Sequence, residues 1–218
     1  MTLRPLADTS AADWFVDRPD RWDGLISRGP SGFEAYGRVL HRWMDSNHDE
    51  RREGCLDDAQ LANLVETLAR HTLTPEDCFH ALWDGYGDIE GGEAVGFLTA
   101  FSGSSVYGRI FRPAKKQVPP PPAFAPAVMY GPRLQLANRD YLLFGGPLAE
   151  AGRWGAVPYA IDIPRDINSP NLLWPADRSW FVATEIDLDW TGVAGSKALI
   201  NDLLADPRLE VVRSGESL

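Results

Sequence analysis

The stretch that decides the fold is residues 170–212, which read PNLLWPADRSWFVATEIDLDWTGVAGSKALINDLLADPRLEVV. From Trp180 onward, apolar or β-branched side chains occupy every second position, namely Trp180, Val182, Thr184, Ile186 and Leu188. The alternate positions change from apolar to acidic and end with Glu185, Asp187 and Asp189. Side chains two apart share one face of a strand, so the pattern predicts a strand with one core face and an acidic, solvent-exposed end.

A helix and a second strand are predicted to follow this strand. Gly192 and Gly195 indicate a tight turn, and Ser196 is typical of the N-cap of a helix over 197–205. An Asp-Pro pair ends that helix, because the residue before a proline avoids the α region. Residues 209–212 then return as a short strand. The order strand, helix, strand favours a mixed sheet with helices packed on one side.

The chain upstream adds further elements. A strand is predicted over 32–41, followed by a helix that starts at Asp57, where Gln60 completes a capping-box pattern. Thr74 and Pro75 predict the start of a second helix, which carries Cys78 to Trp83. Later segments are read as follows: a weak strand within 91–111, a strand over 139–144, a short helix over 148–154 and a strand over 159–163. We therefore predict an α+β fold with a single sheet of about five or six strands.

The composition sets the class of protein. The chain has 218 residues, of which 44% are hydrophobic and 24% charged, as expected for one globular domain over 1–218. The proline-rich stretch 115–126 is predicted to be an extended connection within it. With only two cysteines, Cys55 and Cys78, the sequence predicts no disulfide framework and a reducing compartment. No signal-peptide or membrane-spanning pattern is visible, so we expect a cytoplasmic location.

The formal net charge of −10 restricts the classes of partner. An acidic surface is repelled by nucleic-acid backbones and by anionic membranes, so neither is expected as the main partner. A basic protein or a cation is favoured instead. The sequence does not predict the oligomeric state.

One candidate site is a group of four carboxylates, Asp177, Glu185, Asp187 and Asp189. The last three are spaced to share one strand face, and hard cations prefer oxygen ligands grouped in this way. Such a group predicts a divalent cation site. The alternative is a solvated strand end, whose acids discourage pairing between sheet edges and require no cofactor.

A second candidate is an aromatic cleft formed by Trp83, Tyr86, Trp174 and Trp180. These side chains are suited to binding a partner or ligand, but packing in the core is the simpler explanation.

Three further patterns have weaker implications. His71, Cys78 and His80 lack the spacing of zinc ligands, and a core cysteine with surface histidines explains them. The Pro-x-x-Pro pattern within 116–122 is typical of ligands for aromatic grooves, and also of a stiff loop. The glycines before Ser196 lack the spacing of a phosphate-binding loop.

Several phrases resemble a family of uncharacterised actinobacterial proteins. They are GPSGFEAYGRVLH at 29–41, HTLTPEDCFHALWDGYG at 71–87, YLLFGGPL at 141–148 and NLLWPADRSWFVATEIDLDWTGVAGS at 171–196. That resemblance implies one coherent unit and no particular activity. The phrase TPEDCFHALWDGYG at 74–87 is also similar to the proline–aromatic–glycine segment of SMI1/KNR4-like immunity proteins.

Two functional hypotheses follow. The first is a non-catalytic, acidic protein-binding module of the immunity type, which meets a basic partner. The second is a metal-assisted hydrolase that uses Asp177, Glu185, Asp187 and Asp189. The net charge favours the first hypothesis, and the carboxylate group favours the second.

Overall fold

The computed structural model describes residues 3–17, 22–43, 51–90, 121–136 and 138–214. The predicted strand within 91–111 and the first part of the proline-rich connection, 115–120, lie outside this range. The described helices are α1 (Asp13–Val16), α2 (Trp22–Arg28), α3 (Asp58–Ala69), α4 (Gly87–Glu90), α5 (Pro126–Met129) and α6 (Lys197–Ala205). The described strands are β1 (Arg4–Pro5), β2 (Ala35–Leu40), β3 (Cys78–Trp83), β4 (Leu134–Leu136), β5 (Arg139–Gly146), β6 (Leu172–Pro175), β7 (Phe181–Thr184), β8 (Trp190–Gly195) and β9 (Val211–Ser214).

All nine described strands belong to one sheet, which confirms the predicted α+β class with a single sheet. The strand order is β1-β5-β3-β6-β7-β8-β2-β9, and β4 pairs with β5 next to β1. Every described pairing is antiparallel, so the prediction of a mixed sheet is wrong. A terminal strand–helix–strand unit is present as β8-α6-β9, but its first strand occupies the predicted turn and is not the predicted strand that begins at Trp180. β2 lies between β8 and β9 and is antiparallel to both.

Helices cover both faces of the sheet, although the sequence predicted one side. Trp180 and Val182 pack in one core cluster with the apolar stripes of α3 and α6, on what we call the α3/α6 face. Phe181 and Ala183 pack with residues of α1 and α2 in a second cluster, on the α1/α2 face. The predicted alternation along β7 is therefore present, and both of its faces are apolar because both are covered.

The two longest helices of the described residues begin where the sequence predicts. The carboxylate of Asp57 accepts a hydrogen bond from the Gln60 amide at 2.7 Å, which caps α3. The Ser196 hydroxyl accepts one from the Leu199 amide at 3.1 Å, which caps α6. Each cap satisfies a backbone donor that the helix leaves without an internal partner.

Two predicted elements are of a different type in the structure. Residues 78–83 form β3 and not a helix, because their alternate side chains are buried on opposite faces of the sheet. Gly192 and Gly195 lie inside β8 and not in a turn. A Cβ at Gly192 would stand 2.8 Å from the Arg28 Cα, so the glycine allows the end of α2 to pack directly on the sheet.

Smaller corrections concern the region after β5. The predicted helix over 148–154 is a single 3₁₀ turn, Leu148–Glu150. The predicted strand over 159–163 is reduced to one isolated bridge between Ala160 and Ile163. No helix within the described residues is long and apolar enough to cross a membrane.

Candidate functional site

The four predicted cation ligands lie at opposite ends of β7. Asp177 precedes the strand, while Glu185 follows it and Asp187 lies in the turn that leads to β8. We call these the Asp177 end and the Glu185 end of the sheet. Among the described residues, no three His, Cys, Asp or Glu side chains are grouped as metal ligands would be. The hairpin turn at 186–187 breaks the strand face that the alternating pattern predicted for the acids.

At the Glu185 end, an arginine occupies the place that a cation would take. Arg139 donates to Glu185 Oε1 at 2.7 Å and to Asp187 Oδ2 at 3.2 Å. The Glu185 side chain is 11% exposed and that of Asp187 is 77% exposed. Asp189 is exposed in the same turn region. The guanidinium therefore already neutralises the most buried of the three acids.

At the Asp177 end, the carboxylate of Asp177 holds two loops together. Its Oδ2 accepts hydrogen bonds from the Leu73 amide at 2.7 Å and the Thr72 hydroxyl at 2.8 Å, and its Oδ1 accepts one from the Ser179 amide at 3.0 Å. The Asp177 amide in turn donates to Thr74 Oγ1 at 3.2 Å. Residues 72–77 and 176–179, which we call the acidic loop pair, are thus cross-linked by polar contacts.

These contacts fix the charge of Asp177. Partial burial acts to raise its pKa, but the hydrogen bonds from Leu73, Ser179 and Thr72 outweigh that effect, so the pKa lies below its usual range. The carboxylate is therefore ionised at neutral pH. Since it accepts three hydrogen bonds from protein donors, its role in the structure is to position the loop.

The loop that Asp177 positions presents an apolar side chain to solvent. Leu73 is 94% exposed, although its backbone amide is held by Asp177. Glu76 and Asp77 are exposed on the same loop, and Asp177 is exposed beside them. Arg178 is the basic member of the loop pair, and its guanidinium is directed over the Trp14 ring, 5.4 Å from the centroid. Leu73 is therefore an exposed leucine on a loop that also carries exposed carboxylates and whose backbone Asp177 holds in place.

The four predicted aromatic residues do not line one cleft. Trp180 is fully buried on the α3/α6 face, where its indole N–H donates to the Leu68 carbonyl at 3.1 Å. Trp174 is fully buried on the α1/α2 face. Trp83 and Tyr86 do contact each other, edge to face at 5.1 Å, at the Glu185 end. Trp174 and Trp180 are therefore core residues, and only the other two are near a surface.

Both described cysteines are buried, and so are His41 and His80, which means that His80 is not the surface histidine that the sequence predicts. Cys55 and Cys78 are buried, and burial raises the pKa of both thiols, that of Cys78 to about 12. His41 is buried, with its Nδ1 2.8 Å from the Arg52 carbonyl. His71 pairs with Asp202 at 2.9 Å. A thiol that is protonated at neutral pH is a poor nucleophile, which argues against a cysteine-based reaction.

The sequence reasoning missed the acidic loop pair because its two halves are about a hundred positions apart in the chain. The bond between Thr72 and Asp177 spans 105 positions. One local signal was available: Leu73 lies between two threonines and before a proline, which is an unusual place for a large apolar residue.

Comparisons with known proteins give no further assignment. No family model, no curated protein and no solved structure matches the chain. The resemblance to the actinobacterial family and to immunity proteins therefore stays a prediction.

Proposed function

We propose that the protein is a non-catalytic binding module of the immunity type, which docks on a basic protein through the acidic loop pair. Leu73 is the apolar anchor of this contact, and Glu76, Asp77 and Asp177 are the charges around it. The observation that carries the proposal is the 94% exposure of Leu73 on a loop whose backbone is held by Asp177.

The rigidity of the loop favours binding. A mobile loop loses conformational freedom when it docks, and that loss reduces the affinity. The loop here is already ordered by the contacts of Asp177 with Thr72, Leu73 and Ser179. An exposed apolar residue that is pre-positioned in this way is suited to fill a pocket on a partner, as central residues of interfaces do.

The charge of the chain defines the partner. A net charge of −10 attracts a basic protein over distances comparable with the Debye length, which raises the association rate at low salt. The carboxylates around Leu73 would then meet lysine or arginine side chains at the rim of the contact. The segment that resembles immunity proteins, 74–87, begins in this loop.

The metal-assisted alternative has less support. Its four carboxylates lie at two ends of the sheet, and the most buried one, Glu185, is already paired with Arg139 at 2.7 Å.

The test is affinity capture with matched variants. The wild-type chain, Leu73→Asp and Ile161→Asp are immobilised and exposed to extract from the source cell, since Ile161 is 91% exposed on a different loop. We expect the wild type and Ile161→Asp to retain a basic protein that Leu73→Asp loses. Loss of an anchor residue is expected to cost about 2 kcal/mol or more, which weakens binding by roughly thirtyfold.

The captured protein is then purified and titrated directly. We expect its Kd to rise with salt concentration and to rise further in Asp77→Lys, because the attraction is electrostatic. Retention that ignores both Leu73→Asp and salt, or capture of acidic proteins only, would contradict the proposal.

A further inference from the structure

A concave site lies at the Glu185 end, on the α1/α2 face. It is a cleft of about 570 Å³ between α2 and the first residues of β8. Its apolar walls are Ile26, Leu188 and Trp190, and Arg38 and Glu185 are among its polar side chains. Its volume lies within the range of pockets that hold small molecules, roughly 300–1,000 Å³.

Arg38 is the distinctive group in this cleft. It projects from β2 on the same face as Tyr36, and its guanidinium lies over the Trp190 ring, 4.3 Å from the centroid. It forms no ion pair with any described residue, and its buried Nε has no hydrogen-bond partner there. In contrast, Arg51 and Arg133 each bind a carboxylate at 2.9 Å or less. Arg38 is thus a positive charge held in place by an aromatic ring and not by an acid.

Among the described residues, neither acid that lines the cleft forms an ion pair with Arg38. Glu185 is bound by Arg139 at 2.7 Å. Asp23, at the start of α2, accepts a hydrogen bond from the Gly24 amide at 3.0 Å and lies next to the positive end of the helix dipole. A guanidinium without an acidic partner, beside apolar walls, is complementary to an anion that carries an apolar group.

We propose that this cleft binds a small organic carboxylate, whose carboxylate pairs with Arg38 and whose apolar body packs against Ile26, Leu188 and Trp190. The Trp190 ring restricts where the guanidinium can lie, and a guanidinium offers a carboxylate a two-point contact. This site is independent of the acidic loop pair, since the two lie at opposite ends of β7.

The test uses benzoate as the probe, with benzyl alcohol and inorganic phosphate as comparisons. Binding is followed by NMR through the Trp190 indole N–H and the Leu188 backbone amide. For a ligand of this size we expect a Kd on the order of 1–10 mM. Benzyl alcohol lacks the charge and phosphate lacks the apolar body, so each is expected to bind at least about tenfold more weakly than benzoate.

Two variants separate the role of Arg38 from a general effect of removing an arginine. Arg38→Met is expected to weaken benzoate binding by about tenfold or more. Arg178→Met makes the same change at the Arg178–Trp14 contact, at the other end of the sheet, and is expected to leave the Kd unchanged. Arg38→Lys keeps the charge but not the planar fork, so an intermediate Kd is expected.

The wild-type chain decides the question even if Arg38→Met does not fold. Benzoate that shifts neither cleft signal, or that binds no better than benzyl alcohol, overturns the proposal. So does phosphate binding as tightly as benzoate, because the apolar walls would then contribute nothing. Failure of this test leaves the docking role of Leu73 untouched, and failure of the capture experiment leaves the cleft untouched.

Discussion

Burial of His80 makes the stability of the fold depend on pH in a defined window. His80 lies in β3, is fully buried, and has Phe144 of β5 and Leu173 of β6 as its neighbours in the sheet. Its Nε2 is 3.4 Å from the Gly146 carbonyl, and its Nδ1 has no hydrogen-bond partner. Since a carbonyl only accepts, Nε2 carries the proton of the neutral ring. A second proton on Nδ1 would have no acceptor.

The sign and size of the effect follow from this burial. Desolvation lowers the pKa of His80 from 6.5 to about 4, against the opposing effect of the backbone carbonyls of Gly146 and Pro147. The unfolded chain therefore binds a proton at a higher pH than the folded one. Above pH 6.5 the titration of the buried His80 costs the fold almost nothing. As the pH falls from 6.5 towards 4, the free energy of unfolding decreases by about 3 kcal/mol in total. Between pH 7.5 and 5.5 the expected loss is about 1.3 kcal/mol.

The measurement is urea unfolding at about pH 7.5 and 5.5, for the wild type and for His80→Leu, where the leucine cannot titrate. The lower of the two pH values stays above the sequence pI of 4.8, because a protein at its pI has no net charge and tends to precipitate. Leu82→Ala is the matched control, because Leu82 is also fully buried in β3. Its cost is expected to be the same at both pH values.

The difference in free energy of unfolding between His80→Leu and the wild type should therefore change by about 1.3 kcal/mol in favour of the variant as the pH falls. Contributions from His41 and from the carboxylates are common to both proteins and cancel. A difference that stays constant between the two pH values would refute the reasoning, since it would mean that His80 is solvated or paired in the folded protein. An NMR spectrum showing the proton on Nδ1 would contradict the assigned tautomer.

Two further predictions concern contacts that the fold depends on. Gly192→Ala is expected to destabilise the protein by about 2–3 kcal/mol, because the added methyl group would meet the backbone at the end of α2. In the control Gly37→Ala, the methyl group meets nothing closer than 3.5 Å, so the cost should be under about 1 kcal/mol. Thermal or urea unfolding compares the two variants. Arg139→Met should cost about 2 kcal/mol by leaving the Glu185 carboxylate largely buried and unpaired, and adding Glu185→Gln should restore part of that loss, which a double-mutant cycle measures. Equal costs for the two glycines, or no recovery in the double mutant, would contradict these expectations.

The parts of the fold that the sequence predicts correctly are those with local causes. The start of α3 depends on Asp57 and Gln60, and the start of α6 depends on Ser196 and Leu199, so two residues three positions apart determine each cap. In β3, by contrast, the local signal is misleading. Thr74 and Pro75 are typical of a helix start, but the pairing of the following residues with β5 and β6 overrides that preference. Because β5 and β6 are distant in the chain, the local sequence around β3 does not indicate this pairing.

The candidate site follows the same rule. The sequence singles out Asp177 and Glu185 as chemically notable, and in the structure three donors bind the Asp177 carboxylate and Arg139 binds that of Glu185. Their partners, Thr72, Leu73 and Arg139, are distant in the chain, so the sequence gives no sign that the carboxylates hold amides and a guanidinium. The spacing of acids along a strand predicts a bound cation. In the structure, the positively charged guanidinium of Arg139 neutralises Glu185 in place of a metal ion.

The covering of both sheet faces determines where recognition can occur. Phe181 and Ala183 are sealed under α1 and α2, and Trp180 and Val182 under α3 and α6, so neither face of β7 can present side chains to a partner. Recognition is therefore expected at the ends of the strands and not on the faces of β7. At one end, the contacts of Asp177 order a loop that exposes Leu73. At the other end, Arg38 of β2 lies over Trp190 without an acidic partner among the described residues. Since the two proposed sites are built from different elements at opposite ends of the sheet, a substitution in one is expected to leave the other in place.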